Sequence, residues 1–524
     1  MSSATLPFAC VDSTLVEPTV NFSQARIAFR QLESWCTSAE ANNASEAEVE
    51  EHIEQAGREV LRLLLESHLR QRGTGDVGPA LRVFSPSASA TTPKERSDST
   101  GPTVGDSVLH SNKRCHNLTL NTVLGKVTID RTGYGAAGQT SIHPLDEQLC
   151  LPERSFSHPL QERLVRHAVQ GPFAEAVGNV EQATGVKVSQ RSAEQIVQEA
   201  AVDFQPFYQQ QTLSDPQGGG PIVVTGIDCK GVPMIKPEQT LRKTRRGKGD
   251  KKHKKRMATV ATVRTQQVRI RTPEEVTESL FRTTPKQKRP RTRRKTPLPK
   301  EHKRVWANLI QSKDEVISEV VKEVQRVDPK GSKTHVALCD GERALQKRIL
   351  PALLAVAPMT VLILDLMHVI EKVWQAAHCF YPEGSDEATQ WARKQTLRIL
   401  QGEVSQVIKG IRQSATKRGM TGQKRKTLDR IAKYFHRNRG YMKYNVYLRN
   451  GWPIASGCVE GACKNLIKDR MERSGMRWSL EGAEAMIQLR SLYLSGDLDD
   501  YWDFHIEQEG RRLYPDGRWE AVEK

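Results

Sequence analysis

Three apolar runs in this chain end or begin at a carboxylate, and this pattern constrains the fold more than any other feature. Pro221-Ile-Val-Val-Thr-Gly-Ile227 is closed by Asp228, and Thr334-His-Val-Ala-Leu-Cys339 by Asp340. Glu460 opens Glu460-Gly-Ala-Cys-Lys-Asn-Leu-Ile-Lys-Asp469, whose spacing is helical. Short apolar runs bounded by turn residues suit strands buried on both faces. The residues between them complete the pattern. Strands are expected at 221–228 and 232–236, joined by a turn at Lys230-Gly231, and at 257–270. A helix at 312–327, a strand at 334–340, a helix at 342–355 and a strand at 360–364 follow. Three meandering strands, then alternating helix and strand, outline a mixed α/β, ribonuclease H-like sheet.

The rest of the chain divides around that core. Residues 1–70 carry helical apolar spacing from residue 22 onward, and 71–112 are too poor in large apolar groups to pack, as expected of a linker. Residues 113–205 hold an alternating β-hairpin pattern, Leu118–Val123 and Lys126–Asp130, and then a helix-turn-helix pattern. In the latter Gly185 supports the turn, Ser189 caps the second helix, and Gln190, Arg191 and Glu194 face outward. Two helices simply packed together fit that pattern equally well. The core is expected over 221–375, a helical insertion over 376–450, closing helices with Glu460 over 451–495, and a tail over 496–524.

The 524 residues carry a formal charge of +18, and the excess is local. Residues 242–256 and 286–304 each hold ten Lys/Arg against one acid, and elsewhere the two signs balance. Arg242, Lys243, Arg245, Arg246, Lys251, Lys252, Lys254, Lys255 and Arg256 are therefore candidates to grip a phosphate backbone without reading sequence. Nine cysteines without zinc-finger spacing argue against a disulfide scaffold or structural zinc and fit a reducing, cytoplasmic compartment. No export signal is recognisable, and Pro351 and Pro358 interrupt the longest apolar stretch, so no membrane span is expected.

Phosphodiester cleavage needs an activated water or hydroxyl and neutralised charge on the attacking and leaving oxygens, which two Mg²⁺ ions supply. Such ions take hard oxygen ligands, so three carboxylates suffice. Spacing alone does not single out these acids among 61. Their local contexts do.

Gly226-Ile-Asp-Cys-Lys-Gly-Val-Pro-Met234, Ala337-Leu-Cys-Asp-Gly-Glu-Arg-Ala-Leu-Gln346 and the long segment from Ala455 to Trp478 strongly resemble DDE transposases of bacterial insertion sequences, closest to the Kra-type group. The likeness spans roughly residues 115–495. It implies a ribonuclease H-like core with Asp228, Asp340 and Glu460 as catalytic, metal-binding triad, and two Mg²⁺ ions with Mn²⁺ able to substitute. The implied partners are terminal inverted repeats and target DNA, bound by a homodimer or larger assembly in the cytoplasm, on the nucleoid. Asp365-Leu-Met-His368 matches an Asp-x-x-His element found between the second and third acids, with supporting roles for Asp365 and His368. Arg470, Arg473 and Arg477, spaced along the helix begun by Glu460, are candidates for phosphate contacts. Trp478 suits base stacking or, better, the core. The alternatives are a catalytically inactive, transposase-derived DNA-binding protein and a metal-dependent nuclease that cannot join strands.

Overall fold

The computed structural model describes residues 22–84, 107–211, 219–235, 255–281, 301–341 and 343–522. They form two compact units: residues up to 168 with 173–193 and 502–524, and residues 169–172 with 194–501.

The first unit begins with helices α1 (Ser23–Cys36), α2 (Ala39–Asn43) and α3 (Glu46–Gln71). A Ser45–Glu48 capping box starts α3. Its apolar residues Ile53, Leu61 and Leu64 nevertheless remain exposed. Strand β1 (Ala80–Phe84) and β2 (Ser107–His110) arise within the stretch that composition reads as a linker, and β1 also pairs with the C-terminal strand Trp519–Val522. The hairpin of β3 (Asn112–Thr122) and β4 (Gly125–Gly135) is longer than its sequence pattern, because pairing extends past the apolar alternation on both sides. Leu120, Val127, Ile129, Leu145 and Leu151 form the core there. Helices α4 (Pro144–Gln148), α5 (His158–Ala168) and α6 (Phe173–Thr184) follow, then α7 (Gln190–Glu199), which from Glu194 onward belongs to the second unit. Gly185 has φ +71° and the Ser189 hydroxyl accepts the Ser192 N–H at 3.0 Å, as the turn and cap require.

The second unit is built on a five-stranded sheet of order β7-β6-β5-β8-β9. β5 (Ile222–Val232), β8 (Thr334–Cys339) and β9 (Val361–Leu364) run parallel, whereas β6 (Arg256–Gln266) and β7 (Lys303–Asn308) continue from β5 as antiparallel neighbours. The expected turn at Lys230-Gly231 is absent. β5 runs straight through it because Lys230 and Gly231 pair with Ala258 and Met257 of β6, so Asp228 lies within the strand. β6 in turn ends at Gln266, short of the expected 270.

Helix α8 (Phe204–Gln210) precedes the sheet, and α9 (Pro273–Leu280) follows β6. α10 (Lys313–Val327) is started by a Ser312–Glu315 capping box and packs on β6 and β5 through Val316, Val320 and Val324. Burying each such side chain contributes about 1.5–3 kcal/mol. Edge strand β7 is tied to α10 by buried Glu323, which meets Arg304 at 2.8 Å, His302 at 2.7 Å and Arg326 at 2.5 Å. Burial opposes ionisation there, but the His302 hydrogen bond and the charges of Arg304 and Arg326 prevail and hold the Glu323 carboxyl well below its usual range.

Between β8 and β9 lies α11 (Arg343–Leu354); α12 (Leu366–Phe380) follows β9. α13 (Asp386–Leu400), α14 (Val404–Lys417), α15 (Gly422–Asn438) and α16 (Tyr444–Arg449) make the expected helical insertion. α17 (Gly457–Ala462) carries Glu460 and lies against β5 and β6, while α18 (Leu480–Ser495) packs on β7. No helix among the described residues is long and apolar enough to cross a membrane.

Candidate functional site

The strand register sets the site. β5 and β8 pair as far as Gly226 with Leu338, and β8 and β9 pair as far as Cys339 with Leu364. The Asp365 N–H still donates to the Cys339 carbonyl, at 2.8 Å. Continuing both registers puts Asp228, Asp340 and Asp365 in one row, which follows the C-terminal ends of β8 and β9 and crosses β5 four residues before its end. Neighbouring strands lie about 4.8 Å apart, so the row spans on the order of 10 Å.

Glu460 reaches the site from α17. That helix lies close to the sheet because β5 has glycine at 226, where a Cβ would sit 3.1 Å from Val459 Cβ and from Thr262 Oγ1. Glu460, Asp365 and His368 place one ligand atom each within 4.8 Å of one another. Among the described residues this is the cluster compact enough to be singled out, and it differs from the expected set of Asp228, Asp340 and Glu460.

Asp365 explains the difference. It is fully buried and its oxygens are occupied: Oδ1 accepts the Met367 N–H at 2.7 Å and so caps α12. Oδ2 accepts the Ser456 N–H at 3.2 Å and the Ser456 hydroxyl, and lies 3.5 Å from His368 Nδ1. Asp365 thus braces the loop that leads into α17. Asp228, Asp340 and Glu460 are instead half-buried, with access to solvent. Asp228 Oδ2 lies 3.4 Å from the Cys463 thiol, and Oδ1 accepts the Cys229 N–H at 2.6 Å.

The electrostatics follow from the crowding. The Glu460 carboxyl is pushed up by burial and then by the charge of Asp365, with His368 opposing. The neighbouring Asp365 carboxylate raises His368 to about 9 against the cost of burial, with a contribution from Asp340. Burial and the charge of Asp228 push the Cys463 thiol far above its usual range, so it is a neutral donor to Asp228. Three carboxylates, Asp228, Asp340 and Glu460, thus remain reachable by solvent, with the nearby Cys463 thiol protonated.

Asp340 sits on a turn held from α15. Tyr434 Oη donates to the Asp340 carbonyl at 2.8 Å, and Arg437 Nη2 to that of Gly341 at 3.2 Å. Gly341 has φ +91°, and a Cβ there would stand 2.7 Å from Tyr434 Oη, so the turn requires glycine.

The sequence alone did not point to Ser456, Tyr434 or Cys463. Ser456 stands four residues before Glu460, the spacing that puts two side chains on one helical face, and this was the available signal. Tyr434 and Cys463 arrive by long-range packing and left none.

The expected phosphate contacts separate. Arg470 is not on the surface: it is fully buried, its guanidinium 4.9 Å over the Trp478 ring, because the helical path breaks after Met471 and folds Trp478 back beneath it. Trp478 is accordingly a core residue, its indole N–H bonded to the Met471 carbonyl at 3.0 Å. Arg473 and Arg477 are exposed beyond the break. Lys255 pairs with Glu472 at 2.5 Å, and Arg256 Nε donates to the Leu309 carbonyl at 2.9 Å. Arg242, Lys243, Arg245, Arg246, Lys251, Lys252 and Lys254 lie outside the described residues, as does most of the 286–304 run. Gln190 and Arg191 are exposed at the start of α7.

No protein-family model matches this chain, and no curated protein matches it.

Proposed function

We propose that this protein is a DDE transposase, which cleaves the ends of a mobile DNA element and joins the freed 3′-hydroxyl to target DNA. The observation that carries the reading is the row of carboxylates on β5 and after β8 and β9, faced by Glu460, in a mixed sheet in which β5, β8 and β9 are parallel and β6 and β7 pair antiparallel on the other side of β5. That sheet order is the one expected of a ribonuclease H-like core. The sequence resemblance independently selects the same acids, and the local positive charge suits a phosphate backbone.

In this reading Asp228, Asp340 and Glu460 hold two Mg²⁺ ions, which when bound supply charge neutralisation at the attacking and leaving oxygens. The chain's own residues do the positioning. Asp365 and Ser456 fix the approach of α17, the Cys463 thiol orients Asp228, and Tyr434 fixes the Asp340 turn. His368, charged at neutral pH, balances the clustered carboxylates.

The test is an assay with Mg²⁺, labelled terminal-repeat DNA and a target plasmid. The wild-type protein gives joined products, and Asp228→Asn abolishes cleavage while DNA binding persists. Nicks without joining would assign a nuclease, no reaction a DNA-binding derivative, and cleavage retained by Asp228→Asn would remove the carboxylate from the mechanism.

A further inference from the structure

We infer that α15 is a track for the DNA backbone, delivering the strand to be cut to the turn that carries Asp340. Lys426, Arg430, Lys433 and Arg437 stand four, three and four residues apart on this helix, so they form one straight stripe. Eleven residues of helix make the stripe about 16 Å long. All four side chains are exposed. The opposite face, Leu428, Ile431, Ala432 and Phe435, is buried and fixes which way the stripe points.

Two observations separate this stripe from an ordinary solvated face. It is almost undiluted by acid: Asp429 is the only acidic residue of α15, and it is paired with Arg425 at 3.1 Å. Lys426, Arg430 and Lys433 have no ion-pair partner among the described residues. The stripe also ends at the site, because Arg437 binds the Gly341 carbonyl and Tyr434, one residue past Lys433, binds that of Asp340. A backbone lying along these cations is therefore led to the carboxylate row. Flexible cationic side chains at successive helical turns suit phosphates and carry no base preference.

This inference rests on the carboxylate row acting on phosphodiesters, and its test is kept separate from that chemistry. Binding of the full chain to labelled duplex DNA is measured across salt concentrations without divalent metal, for the wild type and for Lys426→Ala/Arg430→Ala/Lys433→Ala. Alanine at exposed helical positions preserves the helix, and an unchanged melting temperature verifies the fold. Lys330→Ala, in an exposed turn before β8 and so at the other end of the sheet, is the control. The triple variant is expected to bind roughly tenfold or more weakly, its salt slope shallower by up to about 2.7, about 0.9 for each phosphate that is no longer neutralised. Lys330→Ala is expected to match the wild type. Equal affinity and slope in the triple variant would overturn the track, as would a wild type that does not bind DNA. If the wild type binds through the stripe but never cleaves, the track stands and the transposase reading falls.

Discussion

Asp365 is the most enclosed carboxylate of the row, and its role follows from what surrounds it. Its oxygens are committed to the start of α12 and to Ser456, so it braces the loop that leads to Glu460; in the proposed reading the metal falls to its less buried neighbours. Ser456→Ala removes one bond from this buried carboxylate and should cost about 1–3 kcal/mol. Its functional effect should be a severalfold rise in the Mg²⁺ concentration needed for half-maximal cleavage, restored by Ser456→Thr, with metal-free DNA binding unchanged. An unaltered Mg²⁺ dependence would make Ser456 merely structural. A second residue offers a clean pH test away from the site. Glu484 is buried, accepts the Leu309 N–H at 2.8 Å, and is pushed up to about 7 by burial. Below pH 4.5 it is protonated folded and unfolded alike. Between 4.5 and 7 only the folded state keeps the proton, so stability falls as pH rises through that window and stays lower above it. Glu484→Gln should remove this loss, on the order of 3 kcal/mol, and raise the melting temperature at pH 8 but not at pH 4. Equal shifts at both pH values would contradict the assignment.

At the level of elements, the decisive fact is a register. A one-residue slip between β5 and β8 would turn Asp228 to the other face of the sheet and break the row. Gly226 fixes the remaining dimension, the closeness of α17. Gly226→Ala should push that helix outward by a few tenths of an ångström and slow cleavage roughly tenfold or more, since small misplacements of reacting groups are costly. DNA binding should persist, and a cleavage rate equal to the wild type would show that α17 has slack. The strands and helices from 312 to 364 were legible from the apolar period, because each is buried and bounded by a cap or turn residue. Lys230-Gly231 was not, because its identity as strand depends on β6, a partner the local sequence does not display. Arg470 was misplaced for the same kind of reason. Its spacing assumed one continuous helix, whereas the path passes through a π-helical stretch, Cys463–Lys468, that shifts every later side chain.

Across the whole molecule, charge and topology were legible to different degrees. The positive excess and its local placement are plain in the sequence, while the sheet that joins β1 to the strand Trp519–Val522 has no local signature, since its partners are more than four hundred residues apart. Of the candidate site, Asp228, Asp340, Glu460, Asp365 and His368 were named from the sequence, whereas Ser456, Tyr434 and Cys463 were not. The central claim is that Asp228, Asp340 and Glu460 jointly hold the divalent ions while Asp365 only braces them. Titration with Mn²⁺, counted by the electron paramagnetic resonance of the free ion, tests it directly in the full chain bound to DNA. Two bound ions are expected in the wild type, with at least one missing in each of Asp228→Asn, Asp340→Asn and Glu460→Gln. Wild-type stoichiometry and affinity in all three variants would contradict the account.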